Sequence, residues 1–231
     1  MGINYKMKKY LAVIPMRGGS TGLPGKHMLQ FCGQTVAVKT IRQVLDEMGA
    51  DCDVLVSTDS NEIAEHCSRY GALIHRRGDE LSNNTASTEV VLRAVAKEYA
   101  DSYQEAIYLS ACELSRWDGA LSQLVHSHIT ADCDTSFYVE PIAKKIWKER
   151  NGDLEILSQC SGEYLPRQSV KVDNLLMEHT GLGLITQFQY WLKGVRYGGN
   201  INVLHVRDDY RHIDLHEAVD LKLGEAFWDF S

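Results

Sequence analysis

Arg17 and Lys26 bracket a segment in which glycine recurs at Gly18, Gly19, Gly22 and Gly25, directly after the apolar run Leu11–Ile14 and Pro15. A short buried strand that empties into a glycine-rich loop presents backbone N–H groups to an anion, and cations at both ends of the loop add charge to that cradle. The chemistry these residue types suit is phosphate binding. Spacing excludes two common phosphate loops. The Walker pattern requires glycine where Ser20 stands and Ser or Thr where His27 stands. The dinucleotide pattern G-x-G-x-x-G is broken because Gly18 and Gly19 are adjacent.

A cradle of this kind needs a sheet beneath it, and the following residues alternate strand and helix signals. Residues 36–48 place Ala37, Ile41, Val44, Leu45 and Met48 at helical spacing, with Gly49 as the stop. Asp53–Ser57 reads as a short buried strand, and Asp59 as the N-cap of a helix with Glu62 as its reciprocal partner. Residues 72–75 and 106–109 read as strands, and residues 87–99 and 121–129 as helices. Such alternation predicts βαβ units and a mostly parallel sheet covered on both faces. Ligands in these sheets sit beyond the carboxyl ends of the strands, which gathers Arg17–Lys26, Ser57–Asp59 and Ser110–Arg116 at one rim.

After residue 135 the pattern changes to strands at 135–140 and 145–148, a turn at Asn151-Gly152-Asp153, and a return at 154–157. This predicts an inserted lid or subunit-contact region over about 140–180 within a single domain spanning 1–231. Thr180–Ile185 and Ile201–Val206 read as further strands, and Asp214 with Glu217 has capping-box spacing before a last helix.

Bulk properties bound the partners. A hydrophobic content of 44% and a charged content of 24% are those of a soluble globular protein. The formal net charge of −7 argues against a nucleic-acid partner, which needs a basic face. No apolar run approaches a membrane span, and the short run after Lys6, Lys8 and Lys9 is not a signal peptide. The six cysteines lack any C-x-x-C pair and read as reduced thiols of a cytoplasmic protein, with Cys112 a bystander at the rim. Trp117, Trp147, Trp191 and Trp228 read as core or contact residues, and Glu113 as a solvated loop acid.

Five stretches in order resemble the acylneuraminate cytidylyltransferases, the CMP-sialic acid synthetases and their relatives. Ile14–Lys26 is similar to the R-x-G-S-K-G-x-x-x-K-N signature, and Val56–Glu65 with Tyr70-Gly-Ala72 to VSTD…EIA…YGA. Asn84-Thr-Ala-Ser-Thr88 is similar to DTASS, Arg167-Gln168 to RQ, and Ile213-Asp214 with Asp220 to the terminal D-I-D…D. The resemblance implies a three-layer Rossmann-like nucleotidyltransferase domain that joins CMP to an acidic sugar, using CTP and Mg2+ and releasing pyrophosphate. It implies catalytic roles for Arg17 and Lys26. Nucleotide contacts would come from Arg17, Gly18, Gly19, Ser20, Gly22, Lys26, His27, Ala86 and Thr88. The acceptor would meet Arg116, Arg167, Gln168 and Gly181, and the metal Asp214 with His212. It also implies a homodimer through Pro141–Leu176.

The departures from the family pattern bear on activity. Thr21 stands where the first loop lysine belongs, His27 replaces an asparagine, and Ser110–Arg116 replaces Q-P-T-S-P-L-R with only its arginine kept. His212 stands in place of the first metal aspartate, and neutral imidazole suits hard magnesium poorly. Thr180-Gly-Leu-Gly-Leu184 keeps only the glycine of N-G-A-x-Y. Three readings therefore stand: a cytidylyltransferase for a nine-carbon acidic sugar, one for another acidic acceptor such as a phosphonate, or a silent homologue serving as a binding partner.

Overall fold

Tyr10, Ala12 and Ile14 pack into one apolar cluster while Leu11 and Val13 pack into another, and all five are buried. Successive side chains of a strand leave on opposite faces, so this strand must be covered on both. The computed structural model describes residues 8–19, 22–83, 86–142, 146–156 and 176–229. Its first elements are β1 (Lys8–Pro15), β2 (Gln30–Phe31), β3 (Gln34–Thr35), α1 (Val36–Met48), β4 (Cys52–Thr58), α2 (Asn61–Ser68), β5 (Leu73–Arg76), α3 (Thr88–Tyr99) and β6 (Tyr103–Tyr108). There follow α4 (Ala120–Ala131), β7 (Thr135–Pro141), β8 (Trp147–Arg150), β9 (Asp153–Ile156), β10 (Leu176–Glu178), β11 (Leu184–Gln187), α5 (Phe188–Leu192), β12 (Ile201–His205) and α6 (Ala218–Asp229).

β1 lies at the centre of the main sheet, parallel to β4 on one side and to β6 on the other, with β5 parallel beyond β4. β11 is antiparallel between β6 and β7, and β12 runs parallel along the far edge of β7. β10 continues on the same edge of β7 as β11, pairing with residues 139–141 where β11 pairs with 135–137. Helices α1, α2 and α4 supply the cluster on one face, and α3 and α5 the cluster on the other. The result is a three-layer Rossmann-like arrangement with a mixed sheet and a parallel centre. After β5 the chain returns across β1 to form β6, so the strand order reverses between β1 and β6. A crevice at the carboxyl ends of these strands is where such folds take ligands.

Local details depart from the sequence expectations in informative ways. Ser60, not Asp59, caps α2 by accepting from the Ile63 N–H at 3.3 Å. The last helix is capped from within, because Asp220 Oδ2 accepts the N–H groups of His216 and Glu217, while Asp214 faces His216. Residues 179–183 form a turn between β10 and β11 instead of starting a strand. The Asn151-Gly152 turn joins β8 to β9 as expected, with both residues at positive φ. Residues 84–85 and 157–175, which include expected cap, strand and contact positions, lie outside the described residues.

Two buried cations hold the region beneath the crevice. Arg116 is fully buried and donates Nε–H to Leu182 O and Nη2–H to Ser110 O and Gly181 O, each at 2.7 Å. It ties the segment after β6 to the 179–183 turn. Lys39 on α1 is 8% exposed, with its ammonium 4.7 Å from the Trp228 ring centroid and 5.8 Å from that of Phe31. Burial, reinforced by Arg116, pushes the Lys39 amine down to about 7.

Replacing Arg116 with Met strands the Ser110 and Leu182 carbonyls, Gly181 O keeping the Ser110 N–H, and should cost about 3–5 kcal/mol, read as a lower urea midpoint. Between pH 7 and the ordinary lysine range the unfolded chain holds a proton on Lys39 that the folded chain releases, so this group makes stability rise with pH. Lys39→Met should accordingly be more stable than the parent at pH 6 and lose that rise, as read from thermal melts between pH 6 and pH 10.

Candidate active site

The glycine loop is fastened to the ends of the neighbouring strands. The Met16 N–H donates to Ser57 O at 2.8 Å, and the Gly18 N–H donates to Asp59 Oδ1 at 2.7 Å. A Cβ on Gly18 would stand 2.9 Å from Ser60 Cβ, and one on Gly22 would stand 3.1 Å from His216 O. These two glycines permit close approach to α2 and to the segment before α6. Gly25, at φ +67°, turns the chain into a short 3-10 turn over Lys26–Met28. Gly19 is exposed with open space around its Cα, and Ser20 and Thr21 lie outside the described residues.

The loop opens onto a cavity of about 360 Å3 at the carboxyl rim of the sheet. Arg17, Lys26 and His27 line it from the loop, and Ala86, Ser87 and Thr88 from the start of α3. Five of the nucleotide-site residues expected from sequence thus share one wall system. Arg17 Nη1 donates to Asn83 O at 3.2 Å, and Lys26 Nζ donates to Leu215 O at 2.9 Å. The amino end of the twelve-residue helix α3, which Ser87 does not cap with its side chain, adds a favourable dipole for an anion.

Arg77 is a third cation on this cavity, and the sequence reading missed it. Its Nε–H donates to Ser57 Oγ at 2.9 Å and its Nη2–H to Ser57 O at 2.8 Å, while Ser57 Oγ also bonds His75 Nδ1 at 2.8 Å. Burial pulls the guanidinium down to about 10, partly opposed by Asp59, so it stays charged at neutral pH. The available signal was positional: Arg77 follows β5, and the rim of β1, β4 and β6 extends naturally to β5. His27 is 5% exposed, its Nδ1 has no hydrogen-bond partner, and burial with Lys26 and Arg77 pushes it down to about 3. It is a neutral imidazole set among cations. Cys112 also lines the cavity, and burial raises its thiol despite the neighbouring Lys26 ammonium.

The expected acceptor and metal residues fare differently. Arg116 does not reach the cavity wall; its guanidinium is committed to three carbonyls, so it positions the rim instead of meeting an acceptor. Gly181 lies against Ser110, whose Cβ would be 3.3 Å from an added methyl. Arg167 and Gln168 lie outside the described residues. Glu113, expected in solvent, is 2% exposed and bonds Ser115 at 2.6 Å and His212 Nδ1 at 3.0 Å. Burial alone would raise its carboxyl, but the His212 and Ser115 hydrogen bonds hold it below the usual range. The Glu113 bond likewise raises His212 against the effect of burial. His212 is therefore held through Nδ1 by the Glu113 carboxylate. Asp214 pairs through Oδ2 with His216 at 2.9 Å, and its Oδ1 is buried without a hydrogen-bond partner. Among the described residues no group of three or more His, Cys, Asp or Glu side chains forms a metal cluster, and no helix is long and apolar enough to cross a membrane.

The family described as Cytidylyltransferase matches residues 11–110. An N-acylneuraminate cytidylyltransferase of Streptococcus agalactiae is 31% identical over 127 residues, 54% of this chain and 30% of that protein. A 3-deoxy-manno-octulosonate cytidylyltransferase of Chlamydia trachomatis is 30% identical over 84 residues, 36% of this chain and 33% of that protein. The chain thus spans about a third of the length of these relatives. Among solved structures, a CMP:2-keto-3-deoxy-manno-octonic acid synthetase complexed with CTP superposes with TM-score 0.67 at 16% identity, over 96% of this chain and 99% of that one. Residues 11–110, which build the glycine loop and most of the cavity wall, carry the sequence pattern of the cytidylyltransferase family on a Rossmann-like nucleotidyltransferase fold.

Proposed function

We propose that the chain transfers CMP from CTP to an acidic sugar acceptor, a nonulosonate of the sialic acid kind, and releases pyrophosphate. The observation that carries this reading is the convergence of Arg17, Lys26 and Arg77 on one cavity within and beside the matched segment. Nucleotidyl transfer asks the protein for positioning and charge neutralisation more than for a covalent helper. Arg17 and Lys26 flank the triphosphate from the loop, and the α3 amino end takes further oxygens. Arg77, braced on Ser57, adds a fixed charge to a cavity whose loop carries Thr21 in place of the family's lysine. His27 offers a hydrogen bond without charge. Arg167 and Gln168 are assigned to the acceptor by the family resemblance.

Asp214 fits a magnesium ion, because its buried Oδ1 is an acceptor without a donor and its neighbour Leu215 accepts from Lys26. His212 fits it less well, because imidazole nitrogen suits hard magnesium poorly. Bound magnesium would neutralise charge on the triphosphate. A homodimer through Pro141–Leu176 belongs to the same proposal, supported by the exposure of Trp147 and Leu154 on the β8–β9 hairpin and Leu176 on β10.

A second reading is a different acidic acceptor, a phosphonate or another sugar acid. It is favoured by the segment after β6, where Glu113 is buried against His212 and unavailable to a sugar.

Pyrophosphate release, measured with CTP, magnesium and a panel of nonulosonates, other sugar acids and phosphonates, should appear with a nonulosonate. Release only with a phosphonate would transfer the assignment to the second reading, and no release together with no CTP binding would leave a silent homologue. Lys26→Ala should weaken CTP binding by about tenfold or more in calorimetry, as befits a lost charged hydrogen bond; unchanged affinity would remove Lys26 from the site.

A further inference from the structure

At the opposite rim of the sheet, a cavity of about 390 Å3 opens beside the first residues of β1 and β6, the last residue of β11 and the carboxyl end of α4. Cys133, His128 and Glu105 all line it. Cys133 Sγ is 3.4 Å from His128 Nδ1 and 3.1 Å from Ser136 Oγ. His128 Nε2 is 2.9 Å from Glu105 Oε1. A carboxylate only accepts, so the Glu105 contact places the ring proton on Nε2 and leaves Nδ1 as the base, 2.9 Å from the Ser136 hydroxyl that also touches the thiol and 3.4 Å from the thiol itself. The backbone contributes to this juxtaposition. Asp132 ends α4 at φ +47°, a left-handed turn that folds Cys133 back beneath the ring five residues earlier. Nucleophile, base and carboxylate thus stand in line, and nothing in the nucleotide site employs them.

We propose that Cys133 is a nucleophilic thiol with its own base, and that its cavity is a modification site for small zwitterionic disulfides. Lys9, Asp132 and the amides of Gln104 and Gln187 give the wall both signs of charge and neutral donors, which suits a peptide-like disulfide. In the exchange His128 Nδ1 takes the thiol proton and the Cys133 sulfur attacks one sulfur of the disulfide. The S–S bond breaks, and the departing thiolate takes the proton from the imidazolium. One disulfide and one thiol go in, and one mixed disulfide and one thiol come out, with no external oxidant. Glu105 steadies the imidazolium between the two transfers. Of the other described thiols, Cys52, Cys67 and Cys112 are buried and Cys32 is exposed, which makes Cys32 an internal reference.

The test treats the whole protein with oxidised glutathione and follows each cysteine-containing peptide by mass spectrometry. Cys133 should acquire glutathione about tenfold faster than the more exposed Cys32, the low end of what a positioned base contributes. Glu105→Gln and His128→Asn should each bring that ratio to about one or below while CTP binding is unchanged. A wild-type ratio at or below one overturns the proposal, as does a Glu105→Gln ratio equal to wild type even if the melting temperature falls. Should His128→Asn fail to fold by circular dichroism, the Glu105→Gln ratio decides alone.

Discussion

A single guanidinium fixes the geometry of the crevice. The three carbonyls that Arg116 gathers belong to two segments far apart in sequence, the exit from β6 and the turn between β10 and β11. Without this donor the Ser110 and Leu182 carbonyls would lose their partner, Gly181 O alone keeping the Ser110 N–H, because the turn leaves the ladder of β7 just where β10 gives way to β11. A buried cation is costly to desolvate, and here the compensation comes from carbonyl dipoles together with the carboxylates of Glu113 and Glu47. Glu47 does related work one layer away, accepting the N–H groups of Gly119, Leu121 and Ser122 and so anchoring the start of α4 against α1.

With that frame in place, each wall of the cavity proposed for the nucleotide arrives from a different strand end. β1 delivers the glycine loop, β4 delivers Ser57 and Asp59, β5 delivers Arg77, and the loop after β6 delivers Cys112. Asp59 and Ser57 work indirectly, one holding the Gly18 N–H and the other bracing Arg77. The cations are thereby kept apart by fixed backbone, which lowers the electrostatic cost of collecting them before an anion arrives.

Much of this was legible in the residues because the relevant signals are local. Alternating helix and strand patterns placed α1, β4, α3, α4 and β7 within a few residues, and the glycine spacing with Arg17 and Lys26 located the cavity. What escaped depends on contacts distant in sequence. Nothing around Glu113 announces that His212 will neutralise it, so it read as a solvated acid. Arg116 read as a substrate contact because an arginine in a rim loop has the same local appearance whether it faces a ligand or three carbonyls. Arg77 sits in a charged, unpatterned stretch, and only the parallel pairing of β5 with β4 brings it to the site. The capping errors at Asp59 and Asp214 differ in origin: Gly18, distant in sequence, claimed the Asp59 side chain, and the local partner His216 claimed that of Asp214.

The Lys26 tether to Leu215 has a thermodynamic side. Under the proposed function an ammonium already donating to a carbonyl would meet a phosphate by exchange, so its share of nucleotide affinity would be the difference between two bonds and not the worth of one. The carbonyl released belongs to the residue after Asp214, in the segment that Gly22 touches at His216. On that proposal, occupancy of the glycine loop and the set of the chain before α6 are two readings of one equilibrium, and whatever stabilises one arrangement of that segment shifts the apparent strength of the other.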